Sequence, residues 1–465
     1  MGKYEIGLIG LSVMGQNLAL NIARNHSITV YNRTESKTRN FMHDKVDKQD
    51  IKAAYELEDF ISSLAKPRKI MLMIKAGRPV DMVIDSLLPY LSKNDIIIDG
   101  GNSHFKDTNR RLKKLEEKNI RYLGVGISGG EYGALHGPSI MPGGTEAAYA
   151  EVADILEDAA AKTEKGACVS YLGPQSAGHY VKMVHNGIEY GIMEIVAEIY
   201  DYMRKVLDLK TDEMGDIFTE WNHDFESYLV EITAKIMKKE DAKSSKKLIN
   251  MILDKAKYKG TGKWSVQSAL DLGTAIPTIN AGVNARLMSA LKEERIENAV
   301  KFETKSKVKV DKEKIIKKLK SVLYFSSVIA YAEGFKLLKT ASEEYNYNLN
   351  YKEVARIWEN GCIIRSGLLE PIQEAFLADI KLNTLITADQ FKDKLHQAAQ
   401  DLTDIITTAA ETELPLTAVH SSLDYFNSLK SKKMPANLIQ AQRDFFGAHT
   451  YQRLDANGTF HTEWE

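Results

Sequence analysis

Gly178–Val196, with the sequence GHYVKMVHNGIEYGIMEIV, is the stretch that decides how this chain folds. Four of its polar residues are spaced at i, i+3, i+4 and i+7, so an α-helix would place them on one stripe. They are Lys182, His185, Asn186 and Glu189. A neighbouring apolar stripe consists of Val181, Val184, Ile188, Ile192 and Ile195. We therefore predict one helix that holds a base and an acid in a partly dry cavity. A surface helix with an ordinary Lys–Glu pair is the alternative.

Three glycines interrupt this helical pattern, namely Gly178, Gly187 and Gly191. Each costs about 1 kcal/mol inside a helix relative to alanine. Such a cost is easier to accept where other backbone or a ligand must come close. We therefore expect close contacts along this part of the helix.

Length and composition restrict the class of protein. A chain of 465 residues is too long for one core, so two or three domains are expected. The net charge of −1 gives no reason to expect nucleic acid or a membrane surface as partner. Two cysteines, Cys168 and Cys362, form no disulfide framework and lack metal-ligand spacing, which favours a reducing compartment. We therefore expect no bound metal. Because no apolar run is long enough to span a bilayer and no signal peptide is evident, we also expect a cytoplasmic protein.

The N-terminal segment has the order strand, glycine loop, helix. Tyr4–Ile9 reads as a strand, and the loop that follows is Gly10-Leu11-Ser12-Val13-Met14-Gly15, with a helix-like segment through Arg24. This is the context of a dinucleotide fingerprint, although Ser12 replaces the middle glycine. The pattern indicates a Rossmann-like α/β domain.

The end of the next predicted strand bears on the choice of dinucleotide. Ser27–Tyr31 is followed by Asn32-Arg33-Thr34, where an NAD site usually has Asp or Glu for the ribose hydroxyls. Here an arginine is present, and it could pair with a 2′-phosphate and stack on adenine. We therefore predict NADP as the cofactor.

Further strand–loop pairs follow. Lys69–Ile74 ends at Lys75-Ala76-Gly77, Asp95–Asp99 ends at Gly100-Gly101-Asn102-Ser103, and Arg121–Val125 leads into Ser128-Gly129-Gly130, with a glycine- and proline-rich segment from Gly137 to Gly144. In an open parallel sheet, ligands bind beyond the carboxyl ends of the strands, where these loops would lie. The Ser128–Gly130 turn suits a carboxylate or phosphate, and a plain tight turn is an equal alternative.

After Pro174 the chain reads as a large all-α domain, and no internal repeat is evident. Lys259-Gly260-Thr261-Gly262-Lys263-Trp264 could hold a phosphate, or it could be a glycine turn between helices. Arg286 lies in a mostly apolar helical segment, where an unpaired arginine is expensive, so we expect an anionic partner. The terminal segment Met434–Glu465 has little periodicity but many aromatic residues, and we expect it to dock on its own chain or on a second subunit.

The chain resembles the decarboxylating 6-phosphogluconate dehydrogenases over essentially its full length. The resemblance rests on six motifs, namely Asp99–Ser103, Gly126–Gly144, Gly178–Gly191, Lys259–Trp264, Gly361–Ser366 and Gln440–Tyr451. Ser12 and Lys257-Tyr258 depart from the family pattern without touching the reacting groups. The resemblance implies an NADP-binding Rossmann-like domain over 1–176, an all-helical substrate and dimerisation domain over 177–434, and a tail over 435–465 that reaches the partner subunit.

The same resemblance implies the reaction. A homodimer would oxidise 6-phospho-D-gluconate with NADP to ribulose 5-phosphate, CO2 and NADPH. Lys182 would take the proton of the C3 hydroxyl, which requires its pKa to fall from about 10.4 through burial or nearby cations. Glu189 would then protonate C1 of the enediol, and no metal is needed. A related enzyme acting on a smaller acid such as 3-hydroxyisobutyrate, and a non-catalytic NADPH-binding protein, are the alternatives.

The resemblance also assigns binding residues. By this resemblance, the substrate carboxylate would be bound by Ser128, Gly129 and Gly130. The substrate hydroxyls would be bound by Asn102, His185 and Asn186. The phosphate would be bound by Tyr190, Lys259, Thr261 and Arg286, together with Arg443 and His449 from the partner's tail. The residues assigned to the cofactor are Gly10, Leu11, Ser12, Val13, Met14, Gly15, Asn32, Arg33, Thr34, Ile74, Lys75, Ala76 and Asn102.

Overall fold

A computed structural model describes residues 3–257, 260–302 and 308–464. Its N-terminal part is built on strands, which form a large sheet and a short hairpin. The strands are β1 (Ile6–Ile9), β2 (Ile28–Tyr31), β3 (Ile51–Ala54), β4 (Lys69–Leu72), β5 (Ile96–Asp99), β6 (Arg121–Ser128), β7 (Ser139–Gly144), β8 (Lys162–Thr163) and β9 (Gly166–Ala167). The predicted strands that correspond to β1, β2, β4, β5 and β6 are therefore confirmed, while β3, β8 and β9 were not predicted.

The large sheet has the order β3-β2-β1-β4-β5-β6-β7. Its first six strands pair in parallel, and their short runs of Ile, Leu and Val are buried because helices cover both faces. β7 runs antiparallel to β6, so the segment from Gly137 to Gly144 is largely a strand and not the loop that its glycines and proline suggested. This arrangement is a Rossmann-like sheet with an antiparallel edge strand.

Helices surround the sheet and form the regular structure of the described residues after 176, apart from isolated β-bridges. They are α1 (Val13–Ile22), α2 (Glu35–Lys45), α3 (Leu57–Ser62), α4 (Arg78–Leu87), α5 (Phe105–Glu116), α6 (Gly130–His136), α7 (Glu146–Ala150), α8 (Ala153–Ala159), α9 (Ala177–Lys205), α10 (Thr211–Phe225), α11 (Tyr228–Lys238), α12 (Thr261–Asp271), α13 (Pro277–Ala290), α14 (Lys292–Ala299), α15 (Lys312–Glu344), α16 (Tyr351–Ile357), α17 (Leu369–Ala378), α18 (Lys392–Glu411), α19 (Thr417–Lys430) and α20 (Ala436–Gly447). Within the described residues, none of these helices combines the length and hydropathy of a membrane span.

Helix α9 lies at the centre of the molecule. It packs against α12, α13 and α15 and also against β6 and β7, so it joins the sheet to the helical part. A Cβ on Gly178 would lie 2.3 Å from the Met141 carbonyl oxygen, and one on Gly187 would lie 2.9 Å from Ser265 Oγ. The expected close contacts are thus confirmed at these two glycines. The approach is looser at Gly191, where a Cβ would lie 3.6 Å from the Cα of Ile279.

Two buried glutamates bind helix N-termini in the same way. Glu333 of α15 accepts hydrogen bonds from the N–H groups of Thr278 and Ile279, the first turn of α13, at 2.9 and 3.0 Å. Glu198 of α9 accepts from the two equivalent N–H groups of α19, at 2.7 and 2.9 Å. This arrangement is a structural repeat that the sequence did not reveal, because its members are single glutamates far from the helices they bind.

The C-terminal tail is a folded unit, although its sequence has little periodicity. It contains α20, and the buried carboxylate of Asp444 accepts hydrogen bonds from the N–H groups of Thr450 and Thr462 and from the indole of Trp464. Large apolar side chains remain exposed on this unit, namely Leu438, Ile439, Phe445, Phe446 and Leu454. Such a surface is typical of a protein contact.

Candidate active site

Lys182 lies one turn into α9 with its side chain buried. Its stem fits against Gly126 of β6, because a Cβ on that glycine would lie 2.3 Å from Lys182 Cβ. Burial lowers the pKa of Lys182 to about 8, and the nearby Glu189 opposes this change only in part. A lysine with such a pKa carries a useful neutral fraction near neutrality, as a general base must.

His185 connects Lys182 to its neighbours. Its Nδ1 lies 3.3 Å from Lys182 Nζ and 3.0 Å from Asn186 Oδ1, and its Nε2 lies 3.2 Å from Ser128 Oγ. Burial holds the pKa of His185 well below its usual value, so the ring is neutral. Because an amide oxygen only accepts, Nδ1 carries the proton and Nε2 accepts from the serine hydroxyl. Lys182 Nζ therefore faces an N–H group. A neutral amine can accept a hydrogen bond from that group, whereas an ammonium cannot.

Glu189 follows on the same ridge and is partly exposed. Its Oε2 lies 3.9 Å from His185 Nδ1, the same ring nitrogen that Lys182 Nζ approaches, so the lysine and the carboxyl group share one edge of the imidazole. Burial raises the pKa of Glu189, while Lys182 and Arg286 oppose the rise. A raised pKa keeps a carboxyl group protonated for longer as the pH increases, which suits a general acid.

The turn after β6 faces this ridge. Gly129 has φ of 125° and Gly130 has φ of 61°, so both adopt backbone conformations that favour glycine. Asn102 is in the left-handed region and pairs with both backbone groups of Ile127, accepting from its N–H and donating to its carbonyl. Asn102 therefore fixes the strand that carries Ser128, and only part of its hydrogen-bonding capacity remains for a ligand.

The predicted phosphate residues are only partly brought together. Asn186 Nδ2 donates to Thr261 Oγ1 at 2.9 Å, which places Thr261 beside the ridge. Thr261 begins α12, so the loop interpretation of this segment was wrong from Thr261 onward. Lys259 lies outside the described residues.

Arg286 takes a position that differs from the prediction. Its guanidinium lies 3.3 Å from the centroid of the Tyr190 ring, and it is partly exposed, so it is not a deeply buried charge. Among the described residues it forms no ion pair, although its charge opposes the rise that burial causes in the pKa of Glu189 and of Glu194. The expected anionic partner is therefore present only at longer range.

Arg443 and His449 are exposed on the tail. Arg443 Nη1 donates to Gln440, and the His449 ring contacts Phe446. Within the part of the chain that the structure describes, neither has a hydrogen bond or ring contact with α9. One chain by itself thus does not bring the tail to the ridge.

The glycine loop fits a dinucleotide. A Cβ on Gly15 would lie 1.9 Å from the Gly10 carbonyl oxygen, so the turn closes only with glycine here. The Ser12 side chain does not cap α1, which leaves the first-turn N–H groups at Val13 and Met14 without a side-chain acceptor. A helix N-terminus of this kind binds a phosphate group.

The remaining cofactor residues divide into structural and exposed ones. Asn32 Oδ1 accepts from Leu11 N at 3.0 Å and its Nδ2 donates to the Thr34 carbonyl, so Asn32 ties the two loops together. Arg33 is exposed at the end of β2, as a contact to a 2′-phosphate requires. Ile74 lies against Gly10 and Gly101, while Lys75 is exposed and Ala76 half-buried on the same loop.

Sequence reasoning assigned no role to several residues that enclose the site. The Trp358 ring lies 5.7 Å from the His185 ring, and the buried Cys362 thiol lies near Lys182. Burial raises the pKa of Cys362 to about 12, so the thiol stays neutral. Gly361 presents its carbonyl oxygen to Gly129. These residues lie in or just before the motif Gly361–Ser366, which was noted only as a family signature.

Comparison with known proteins identifies the family. The family model described as NAD binding domain of 6-phosphogluconate dehydrogenase matches residues 5–173, and that of its C-terminal domain matches residues 178–464. Decarboxylating 6-phosphogluconate dehydrogenases from Synechococcus elongatus and Bacillus subtilis are each 49% identical over the whole of both chains, and the second is named NADP-dependent.

A solved structure leads to the same result. Plasmodium falciparum 6-phosphogluconate dehydrogenase, described in its apo form, with NADP+ and with 6-phosphogluconate, superimposes with a TM-score of 0.96. It is 43% identical, with 99% of this chain and 100% of that chain covered. Matches of this extent establish the family as well as the fold. The chain belongs to the decarboxylating 6-phosphogluconate dehydrogenases.

Proposed function

We propose that this chain converts 6-phospho-D-gluconate to D-ribulose 5-phosphate and CO2 with reduction of NADP to NADPH, using Lys182 as the base and Glu189 as the acid. The observation that carries this assignment is the ridge of α9. It holds a buried lysine of lowered pKa and a carboxyl group of raised pKa at the same nitrogen of a neutral imidazole. Groups whose surroundings move their pKa values in opposite directions are typical of acid–base pairs.

Lys182 acts first. As C3 is oxidised, its neutral amine accepts the proton of the C3 hydroxyl. The resulting 3-keto acid loses CO2 from C1, because the ketone accepts the electron pair of the breaking bond. The ammonium form of Lys182 donates to the same oxygen as the enediol forms, so one residue serves both steps.

Glu189 acts last. The enediol must gain a proton at the carbon that becomes C1 of ribulose 5-phosphate, and Glu189 supplies it. The enol hydroxyl that becomes the ketone returns its proton to the neutral amine of Lys182. The seven-residue spacing puts the two groups about 10 Å apart along the helix axis, measured between Cα atoms. Side chains that converge from both ends of such a span can serve neighbouring carbons of a small sugar acid.

Binding residues surround this pair. Ser128, Gly129 and Gly130 bind the substrate carboxylate, with Asn102, His185 and Asn186 at the hydroxyls. The phosphate is bound by Tyr190, Lys259, Thr261 and Arg286. Support for this set comes from the hydrogen bonds that join Ser128, His185, Asn186 and Thr261 into one continuous chain.

The N-terminal part holds NADP, which supplies the acceptor for the hydride of C3 when it is bound. Gly10–Gly15 would bind its pyrophosphate and Arg33 its 2′-phosphate. Asn32 and Thr34 would shape the loop around the adenosine, and Ile74–Ala76 with Asn102 would line the neighbouring loops. The fit rests on the Gly10–Gly15 turn and on the exposed arginine at the end of β2.

The domains and the assembly are also part of this proposal. We assign 1–176 to cofactor binding, 177–434 to substrate binding and dimerisation, and 435–465 to a tail that enters the partner's site. There Arg443 and His449 would join the phosphate residues. The exposed apolar side chains of the tail and the exposed positions of both residues support this exchange. A cytoplasmic location agrees with Cys168 and Cys362 being buried free thiols.

Replacement of Lys182 by methionine tests the assignment. We expect Lys182→Met to give no reduced nicotinamide above background with 6-phosphogluconate and NADP, while still binding both. Lys205→Met is the matched control, because Lys205 lies on the same helix but is exposed and paired with Asp201. Release of CO2 by Lys182→Met at the rate of the unmodified protein would refute the role of the lysine.

A further inference from the structure

His179 is a second buried histidine on α9, one turn before Lys182, and nothing in the proposed chemistry uses it. It is 1% exposed. Its Nε2 lies 3.0 Å from the Asp99 carbonyl oxygen, and its Nδ1 lies 2.7 Å from Thr108 Oγ1. The ring therefore joins the catalytic helix to the end of β5 and to α5.

The protonation of this ring follows from its partners. A carbonyl oxygen can only accept, so Nε2 carries a proton and donates to Asp99. Burial lowers the pKa of His179, which keeps the ring neutral and leaves Nδ1 as an acceptor. The Thr108 hydroxyl therefore donates to Nδ1. Both nitrogens are satisfied in one tautomer, and the ring has a single fixed orientation.

The β5 end to which His179 is attached is itself held firmly. The Asp99 carboxylate accepts hydrogen bonds from Ser103 at 2.6 Å, Tyr122 at 2.7 Å and Arg111 at 3.3 Å. Its Oδ1 also accepts from the N–H of Gly101, in the loop that leads to Asn102. The imidazole thus fastens α9 to a rigid point of the cofactor domain and not to a movable loop.

A glycine provides the room for this contact. A Cβ on Gly124 of β6 would lie 2.8 Å from His179 Nδ1, so only a residue without a side chain lets the ring reach the sheet. Gly126, two residues further on the same face of the strand, accommodates the stem of Lys182 in the same way. The histidine and the lysine are therefore seated side by side on one strand.

We infer that His179 is a positioning residue that sets the distance between Lys182 on α9 and the cofactor loops at the end of β5. This inference rests on the proposed function. The proton leaves the oxygen of the C3 hydroxyl and the hydride leaves C3 itself, so base and hydride acceptor must be aligned at the same time. A small displacement of reacting groups can cost about a hundredfold in rate. The residue touches neither substrate nor cofactor and acts through the seating of α9.

The test compares His179→Leu, which cannot hydrogen-bond, with His179→Gln, whose side-chain amide can still donate to the Asp99 carbonyl. We expect His179→Leu to lower kcat by about tenfold or more, with KM for both ligands nearly unchanged. With 6-phosphogluconate deuterated at C3, the isotope effect on kcat should increase, because hydride loss becomes more rate-limiting. His179→Gln should recover most of the rate.

Thr108→Val and Thr29→Val complete the design. Each removes one buried threonine hydroxyl. The Thr29 hydroxyl pairs with Ser63, however, and Thr29 lies on β2, towards the edge of the sheet that is remote from α9. Thr108→Val should change kcat and the isotope effect in the direction of His179→Leu, and Thr29→Val should change neither. Thr108→Val carries the test if His179→Leu does not fold.

Three results would overturn the inference. One is that His179→Leu folds and has an unchanged kcat and isotope effect. If His179→Leu does not fold, the same result for a folded Thr108→Val counts instead. A second is a loss that appears only in KM, and a third is an equal effect of Thr29→Val. If the unmodified protein gives no turnover at all, the proposed function fails first and the positioning role fails with it.

Discussion

At the scale of single residues, the proposed role of Lys182 as the base makes the first step depend on the charge state of its amine. Its pKa is lowered to about 8 by burial, and only the neutral amine can accept a proton. Below that pH the ammonium predominates, so we predict that log(kcat/KM) for 6-phosphogluconate rises with pH and levels off above about pH 8. Initial rates at saturating NADP and low substrate across this range measure the profile.

The slope of that profile is also fixed by the argument. One ionisation gives about a tenfold change per pH unit below the pKa. A profile that is flat through this region, or that falls as the pH rises towards 8, would contradict the assignment of Lys182 as the base. Stability measured in parallel by thermal unfolding shows whether any loss reflects unfolding instead.

Arg33 carries the second prediction at this scale. A guanidinium facing a 2′-phosphate forms charge-assisted hydrogen bonds, which are about twice as strong as neutral ones. Arg33→Ala should therefore raise KM for NADP by about tenfold to a hundredfold and leave KM for NAD nearly unchanged. Lys37→Ala, an exposed cation on the adjoining helix α2, is the matched control. Equal losses with NADP and NAD would show that Arg33 does not recognise the 2′-phosphate.

At the scale of elements, the two glutamates that bind helix N-termini hold the helical part together. Glu333 presents two acceptor oxygens to two N–H groups of α13. In Glu333→Gln one oxygen becomes an NH2 group that faces a donor, and a buried unsatisfied group costs about 1–3 kcal/mol. We predict a loss of that size in the free energy of unfolding, measured with urea. Glu198→Gln should behave alike.

Glu343→Gln provides the control, because Glu343 lies exposed on the same helix α15. It should leave the free energy of unfolding unchanged within about 0.5 kcal/mol. If Glu333→Gln is equally harmless, the carboxylate does not stabilise the α13 N-terminus.

The elements also show how far sequence reasoning extends. Helix α9 and its ridge were predictable, because Lys182, His185, Asn186 and Glu189 fall within three turns and periodicity determines their common face. β7 was not, because its Pro142 and terminal glycines read as turn signals, and only pairing with β6 makes them a strand. The start of α12 at Thr261 was missed for the same reason, since Gly262 is accommodated by contact with the Tyr190 ring.

At the scale of the whole molecule, contacts between distant parts of the chain set the limit of prediction. Cys362 lies close to Lys182, and His179 joins α9 to Thr108 and to the Asp99 carbonyl, and no local pattern predicts these contacts. The role of Arg443 was obtained from resemblance alone, since its own surroundings are solvent and Gln440. Contacts between residues far apart in the sequence, and not local propensity, determine the surroundings of these residues.

The exchange of tails between subunits can be tested by complementation. A Lys182→Met chain has no base but a normal tail, and an Arg443→Ala chain has the base but a defective tail. If the tail acts in the partner's site, a mixed dimer contains one fully native site and one doubly defective site. Random reassociation of equal amounts then restores about a quarter of the activity of the unmodified protein.

The alternative arrangement gives a different result. If each tail served its own chain, no combination of the two variants would create a native site, and mixing would only average their activities. Mixing should therefore be done after dissociation and refolding together, with separately refolded samples as the control. Arg443 is assigned to the neighbouring site if activity is recovered only in the refolded mixture. Lys182→Met refolded alone should recover no activity. Simple averaging would place the tail on its own chain, and 6-phosphogluconate binding would then have to be completed within one subunit.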